Sequence, residues 1–259
     1  MQALLTIAVR AARKAGDFII REANHISSVE SKSTHDYVTN VDTEAERLII
    51  ETISHAYPDH SFLGEESGQS GDSDYQWVID PIDGTTNYIR RIPHWAVSIA
   101  CKYKGRTQIG VVFDPSKGEL FTAVKGRGAQ FDNKKMRVSN SKGLEHSLVA
   151  TGFPFRDEQK LPEYLDIFAK IFPHCSDMRR AGSAALDLAY VAAGRFDGFW
   201  EFGLSPWDTA AGALLVEESG GMVADLQGNP NYEKQGSILA ANPKAFKAML
   251  QLINQKGDS

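Results

Sequence analysis

Near the N-terminus apolar residues recur every three or four positions: Leu4, Leu5, Ala8, Ala11, Ala12 and Ala15, then Ala45, Leu48, Ile49, Ile53 and Ala56. That spacing gathers each set on one helical face and predicts two amphipathic helices, over about 2–23 and 43–57. A polar connector, 24–35, lies between them, Asp42 stands where an N-cap belongs, and Pro58 closes the second helix. Ser61-Phe62-Leu63-Gly64 then reads as a short strand running into Glu65 and Glu66.

From here the period changes. Trp77-Val78-Ile79 is an apolar run into Asp80, which predicts a buried strand with a carboxylate at its exit, stopped by Pro81. Runs at 96–101, 108–113 and 120–124, separated by turns containing Gly or Pro, predict an antiparallel meander. Lys125-Gly126-Arg127-Gly128 follows a strand and precedes no helix, so it reads as a hairpin turn rather than a phosphate loop. The second half alternates again, with strands at 147–152 and 196–202 and helices at 162–171 and 184–193. Ser205-Pro206 opens a helix that runs to Ser219, and short strands at 222–224 and 237–240 precede a last helix at 243–252. This mixture predicts an α/β fold with no internal repeat.

The 259 residues suffice for one large unit or two small ones, and 42% hydrophobic with 24% charged residues excludes a disordered chain. A net charge of -5 and a pI near 5.8 argue against a broad nucleic-acid surface, despite the pairs Arg90-Arg91 and Arg179-Arg180. The same acidity suits a site that collects divalent cations. Only Cys101 and Cys175 are present, too few for a disulfide framework, so a reducing, cytoplasmic location is expected. Arg10, Arg13 and Lys14 lie within the first amphipathic pattern, which reads as part of the mature fold rather than a transit peptide. No apolar run approaches the roughly 20 residues that span a bilayer, so no membrane partner is expected.

Asp80 and Asp83 are two carboxylates that repel unless a cation lies between them. Gly84-Thr85-Thr86-Asn87 is a turn that can open a helix with its N–H groups outward, an arrangement that attracts phosphate. Glu65-Glu66 and Asp208 place further acids at a strand end and a helix start. His and Cys are absent from all three segments, which argues against zinc and for a hard cation such as Mg²⁺. Taken singly, each acid also fits an ordinary turn, loop end or helix N-terminus. Together they suggest metal-assisted phosphoryl transfer.

Asp80-Pro81-Ile82-Asp83-Gly84-Thr85-Thr86-Asn87 closely resembles the first signature of the inositol monophosphatase family, magnesium-dependent and lithium-sensitive phosphatases. Gly64-Glu65-Glu66-Ser67 is similar to that family's acidic loop, and Pro206-Trp207-Asp208-Thr209-Ala210-Ala211-Gly212 to its second signature, so the resemblance spans 36–221. It implies a layered α-β-α-β-α sandwich. Residues 1–259 would form a single catalytic unit, with 1–140 supplying most metal ligands and 141–259 the last ligand and the substrate contacts.

Carried over by position, the resemblance implies that Glu65, Asp80 and the Ile82 carbonyl hold one metal, and Asp80, Asp83 and Asp208 a second. Gly84 and Thr85 would bind phosphate through N–H groups, while Glu65 and the Thr85 hydroxyl orient the attacking water. Asp42 would support that hydroxyl, or serve as a helix cap, or both. For the alcohol, the implied contacts are Asp83, Gly182, Ser183, Ala184 and Glu201, Ser183 standing where the family has Thr; Arg179 and Arg180 would reach either substrate or a subunit interface. Lys32 resembles a family lysine near the site.

The stretches Thr151-Gly152-Phe153-Pro154-Phe155 and Arg180-Ala181-Gly182-Ser183-Ala184-Ala185-Leu186-Asp187-Leu188-Ala189 bring the chain nearest to the bacterial SuhB-type branch of the family. That likeness implies a homodimer hydrolysing myo-inositol 1-phosphate. It also implies, as an alternative, a transcription antitermination subunit that contacts NusA and RNA polymerase. A third possibility is a phosphatase acting on another substrate, such as a 3′-phosphonucleotide.

Overall fold

The computed structural model describes residues 1–23, 29–33, 36–155 and 157–255, and for 29–33 and 36–38 the backbone alone. Helix α1 (Gln2–Glu22) is followed by a hairpin, β1 (Val29–Ser33) and β2 (Asp36–Thr39), and by α2 (Asn40–Ser54). Strands β3 (Ser61–Gly64), β4 (Gly68–Ser70) and β5 (Tyr75–Asp83) lead to a single helical turn, α3 (Thr85–Ile89). The meander follows as β6 (Ala96–Tyr103), β7 (Arg106–Asp114), β8 (Glu119–Val124), β9 (Gly128–Phe131) and β10 (Lys134–Lys135). Together β3 to β10 make an eight-stranded sheet in the order β10-β9-β8-β7-β6-β5-β3-β4, antiparallel except where β3 pairs with β5.

The second half contributes β11 (Leu148–Thr151), α4 (Leu161–Ile171), β12 (Asp177–Arg179), α5 (Ala184–Ala192), β13 (Gly198–Phe202) and α6 (Pro206–Glu218). It closes with β14 (Met222–Ala224), α7 (Tyr232–Gln235), β15 (Ser237–Ala241) and α8 (Pro243–Ile253), and its five strands pair as β12-β11-β13-β15-β14.

Strand parity sorts the side chains into layers. Trp77, Ile79, Val97, Ile99, Cys101, Ile109 and Val111 pack with the apolar faces of α1 and α2, whereas Val78, Ala96, Ala100 and Val112 pack with α5 and α6. On the smaller sheet Phe199 and Ala150 face the same middle layer, and Val149, Trp200 and Phe202 turn outward to α4 and α8. The result is the α-β-α-β-α sandwich. Helix α6 lies between two sheets, which explains why residues Asp208 to Val216 are buried all round. It approaches β7 closely: a Cβ on Gly110 would stand 2.8 Å from the Ala211 carbonyl oxygen, so only glycine lets the helix carrying Asp208 sit this near the sheet.

Two local expectations are corrected. Pro81 does not stop its strand: β5 continues to Asp83, with a register break between Asp80 and Asp83 where the ladder needs no N–H from residue 81. Nor is Asp42 the N-cap of α2. Thr39 caps the helix and Asp42 is the reciprocal residue of a capping box, because the helix begins three residues earlier than the apolar spacing indicates.

Candidate active site

The break in β5 bunches acids at the strand's end. Asp80 is 2% exposed, and its Oδ1 accepts the Ile82 N–H at 3.0 Å, which folds the chain back so that Asp83 follows on the same rim. Gly84, at φ 101°, then makes the left-handed turn into α3 that a residue with a Cβ would resist. Asp208 arrives from α6, where its Oδ2 accepts the Ser205 N–H at 2.6 Å in a capping box. Asp80, Asp83 and Asp208 each present one oxygen, all within 4.8 Å of one another. Burial pushes the Asp80 carboxyl well above the usual carboxylate range, and the charges of Glu65, Asp83 and Asp208 push it further. An all-oxygen set of mutually repelling, buried carboxylates fits a hard divalent cation and offers no soft ligand.

This cluster lies on the wall of a cavity of about 310 Å³, lined also by Glu65, Ile82, Gly84, Thr85, Gly182, Ser183, Ala184 and Glu201. Asp42 stands behind the wall. Its Oδ2 accepts the Thr39 N–H (2.9 Å) and hydroxyl (2.5 Å), and its Oδ1 lies 3.1 Å from the Thr85 hydroxyl, which also reaches the Ile82 carbonyl at 2.9 Å. Capping and support of Thr85 therefore coexist in one carboxylate, whose pKa burial raises to about 6 against the hydrogen bonds that lower it. Asp83 joins the two halves: its Oδ2 accepts the Ser183 hydroxyl at 2.5 Å and the Ala185 N–H at 2.7 Å, at the start of α5.

Arg179 is not in the cavity, which corrects the substrate contact expected for it. On β12 residues two apart share a face, so Arg179 pairs with Asp177 (Nη1 to Oδ2, 2.5 Å) while the next residue turns the other way. That residue, Arg180, lines the mouth with its guanidinium 5.4 and 5.5 Å from the ring centres of Phe153 and Phe155. The side chain of Lys32 lies outside the described residues.

Two residues take roles that the sequence reading did not give them. Glu46 of α2, 2% exposed, accepts the N–H groups of Glu66 (2.9 Å) and Ser67 (2.8 Å) and so fixes the loop that presents Glu65. Asn87 donates to the carbonyls of His94 (2.8 Å) and Ala181 (2.9 Å), tying α3 to the chain entering α5. The first had a signal: Glu46 neighbours the apolar stripe of its helix, and Gly64 leaves its carboxylate room.

The sequence pattern of the inositol monophosphatase family matches residues 1–257, and the chain belongs to that family, a family of phosphatases. Among relatives it is 55% identical to the Nus factor SuhB of Salmonella typhimurium, over 96% of this chain and 95% of that protein. The extragenic suppressor protein suhB of Bartonella henselae superposes with a TM-score of 0.95 at 40% identity, covering 98% of this chain and 99% of that one. Staphylococcal SaIMPase-II, solved with inositol monophosphate bound, superposes with a TM-score of 0.82 at 30% identity, covering 96% and 92%.

Proposed function

We propose that the chain hydrolyses myo-inositol 1-phosphate to inositol and phosphate with Mg²⁺ as its metal. The observation behind this reading is that Asp80, Asp83 and Asp208 converge on one wall of a cavity that Glu201 also lines, which supports a space where metal ligands and a polyol acceptor would meet. Glu65, Asp80 and the Ile82 carbonyl would hold one ion, and Asp80, Asp83 and Asp208 another. Bound there, the ions would supply an acidified water and charge neutralisation at the leaving oxygen.

The protein's own residues do the rest. The Gly84 and Thr85 N–H groups hold the phosphoryl oxygens, and the Thr85 hydroxyl, set by Asp42, orients the water together with Glu65. Ser183, Ala184 and Glu201 meet the ring hydroxyls. Residues 1–259 act as one catalytic unit in this reading, since both halves line the cavity. Phosphate release from inositol 1-phosphate, fructose 1,6-bisphosphate, histidinol phosphate and a 3′-phosphonucleotide, with Mg²⁺, EDTA or Li⁺, is the test. Preference for inositol 1-phosphate, lost with EDTA and reduced by Li⁺, is the expected result; preference for the nucleotide contradicts the substrate.

The 55% identity to a protein named a Nus factor supports a second role, contact with NusA and RNA polymerase. Immobilised NusA is expected to retain both the wild type and Asp208→Asn, because the substitution alters a buried side chain; failure to retain the wild type removes this role. The free thiol of buried Cys101 is consistent with a reducing cytoplasm, and no helix among the described residues is long and apolar enough to cross a membrane. Leu161, Leu165 and Phe172 expose an apolar stripe along and just beyond α4, which a second copy of the chain would cover as a homodimer. Sedimentation velocity at micromolar concentration should give a dimer; a monomer contradicts the pairing.

A further inference from the structure

Glu201 owes its position to an absent side chain. Strands β11 and β13 run parallel with Ala150 opposite Phe199 and Thr151 opposite Trp200, and the next residues along are Gly152, one position past the end of β11, and Glu201. Phe199 and Ala150 face the middle layer, and the alternation of a pleated strand turns Gly152 and Glu201 the same way, where both line the cavity. A Cβ built on Gly152 would overlap the Glu201 carboxylate, with all three of its terminal atoms in the way. Gly152 has no left-handed backbone angle to explain its identity. Space is the remaining reason.

We propose that Gly152 is a specificity-determining residue: the gap above its Cα seats the Glu201 carboxylate, and thereby sets where the cavity offers an acceptor to a substrate hydroxyl. The inference rests on the reading of Glu201 as the polyol contact and adds to it the element that fixes its position. The overlapping group is the end of a flexible side chain rather than backbone, so a methyl at 152 displaces the carboxylate without preventing folding. A displaced acceptor leaves a hydroxyl-bearing ring misplaced relative to the acid cluster, whereas a phosphomonoester without ring hydroxyls loses no such contact.

The experiment is a double-mutant cycle of Gly152→Ala and Glu201→Ala, with kcat and KM measured on inositol 1-phosphate and on p-nitrophenyl phosphate. For Gly152→Ala the ratio of kcat/KM for inositol 1-phosphate over p-nitrophenyl phosphate should fall by about tenfold or more, mainly through KM. In the Glu201→Ala background the same substitution should change that ratio by less than about twofold, since no carboxylate remains to displace. An equal loss on both substrates, or the same loss in both backgrounds, overturns the proposal. A crystal structure of Gly152→Ala with Glu201 unmoved overturns it independently of kinetics. If Glu201→Ala alone leaves the ratio intact, the reading of Glu201 fails, and the specificity role of Gly152 fails with it.

Discussion

Replacing Asp80 by Asn should lower Mg²⁺-dependent phosphate release by about a thousandfold or more, while raising the melting temperature of the metal-free protein. The two effects have one origin. Asp80 is buried beside Glu65, Asp83 and Asp208, which favours its protonated form in the folded state. For an acid whose folded pKa is raised, stability is fully present below the unfolded value and is lost as pH rises through the folded one. As pH rises toward that folded value the metal-free wild type comes to bear the penalty of the buried charge, and Asn removes it. In the proposed reading a cation that binds only the folded state would reverse the balance for the wild type, so Mg²⁺ should raise its melting temperature but not that of the variant. The expected rise for the metal-free variant is a few degrees, at about 2–4 °C per kcal/mol for a chain of this size. General damage would lower activity and stability together. A variant that retains more than about a tenth of the activity, or that Mg²⁺ stabilises as it does the wild type, contradicts this account of the site.

Asp83→Ala is expected to fail in both respects. Its Oδ2 accepts the Ser183 hydroxyl and the Ala185 N–H, and removing it leaves both buried donors at the start of α5 without this acceptor. Hydrogen bonds to a charged group contribute about 1.5–3 kcal/mol each, and some relief of repulsion from Asp80 and Asp208 offsets the loss, so about 3 kcal/mol of destabilisation is expected. A lower urea midpoint with an unchanged slope is the readout. Phosphate release should fall by about a hundredfold or more, as the cluster loses an oxygen ligand. Asp83→Asn separates the roles, because its amide oxygen still accepts from α5 while the charge is gone: stability stays near wild type and activity does not. An unchanged midpoint in Asp83→Ala contradicts the tie between the halves.

Much of this site was legible in the chain because its acids sit at places that local pattern marks. An apolar run ending in Asp80, a Gly84 turn and a Ser205-Pro206 helix start are features of a few neighbouring residues, and the structure builds the cluster from them. What escaped depends on neighbours distant in sequence. Arg179 and Arg180 are indistinguishable until the fold pairs Arg179, at the end of β12, with Asp177 and turns Arg180, just past that strand, to the cavity. Pro81 reads as a strand breaker by its chemistry, and only the register between β5 and β6 reveals a break that tolerates it. Glu46 looks like one more charge on a surface helix, yet it is buried because the backbone N–H groups of residues 66 and 67 converge on it. Asp187 is similar: its place on α5 gives no sign that burial, with the charges of Glu201 and Asp83 nearby, holds its carboxyl well above the ordinary range. The layers were legible only through the family resemblance, since no local pattern states which of two sheets a strand will join.

Asp80, Asp83 and Asp208 are the proposed seat of a divalent cation. An anomalous difference map from crystals soaked in Mn²⁺, at a concentration that supports turnover in solution, tests it most directly. The predicted result is a peak within coordination distance of all three carboxylates, about 2.0–2.3 Å from their oxygens, that disappears in Asp80→Asn. A map without a peak there, or with its strongest peak elsewhere on the molecule, would contradict the account.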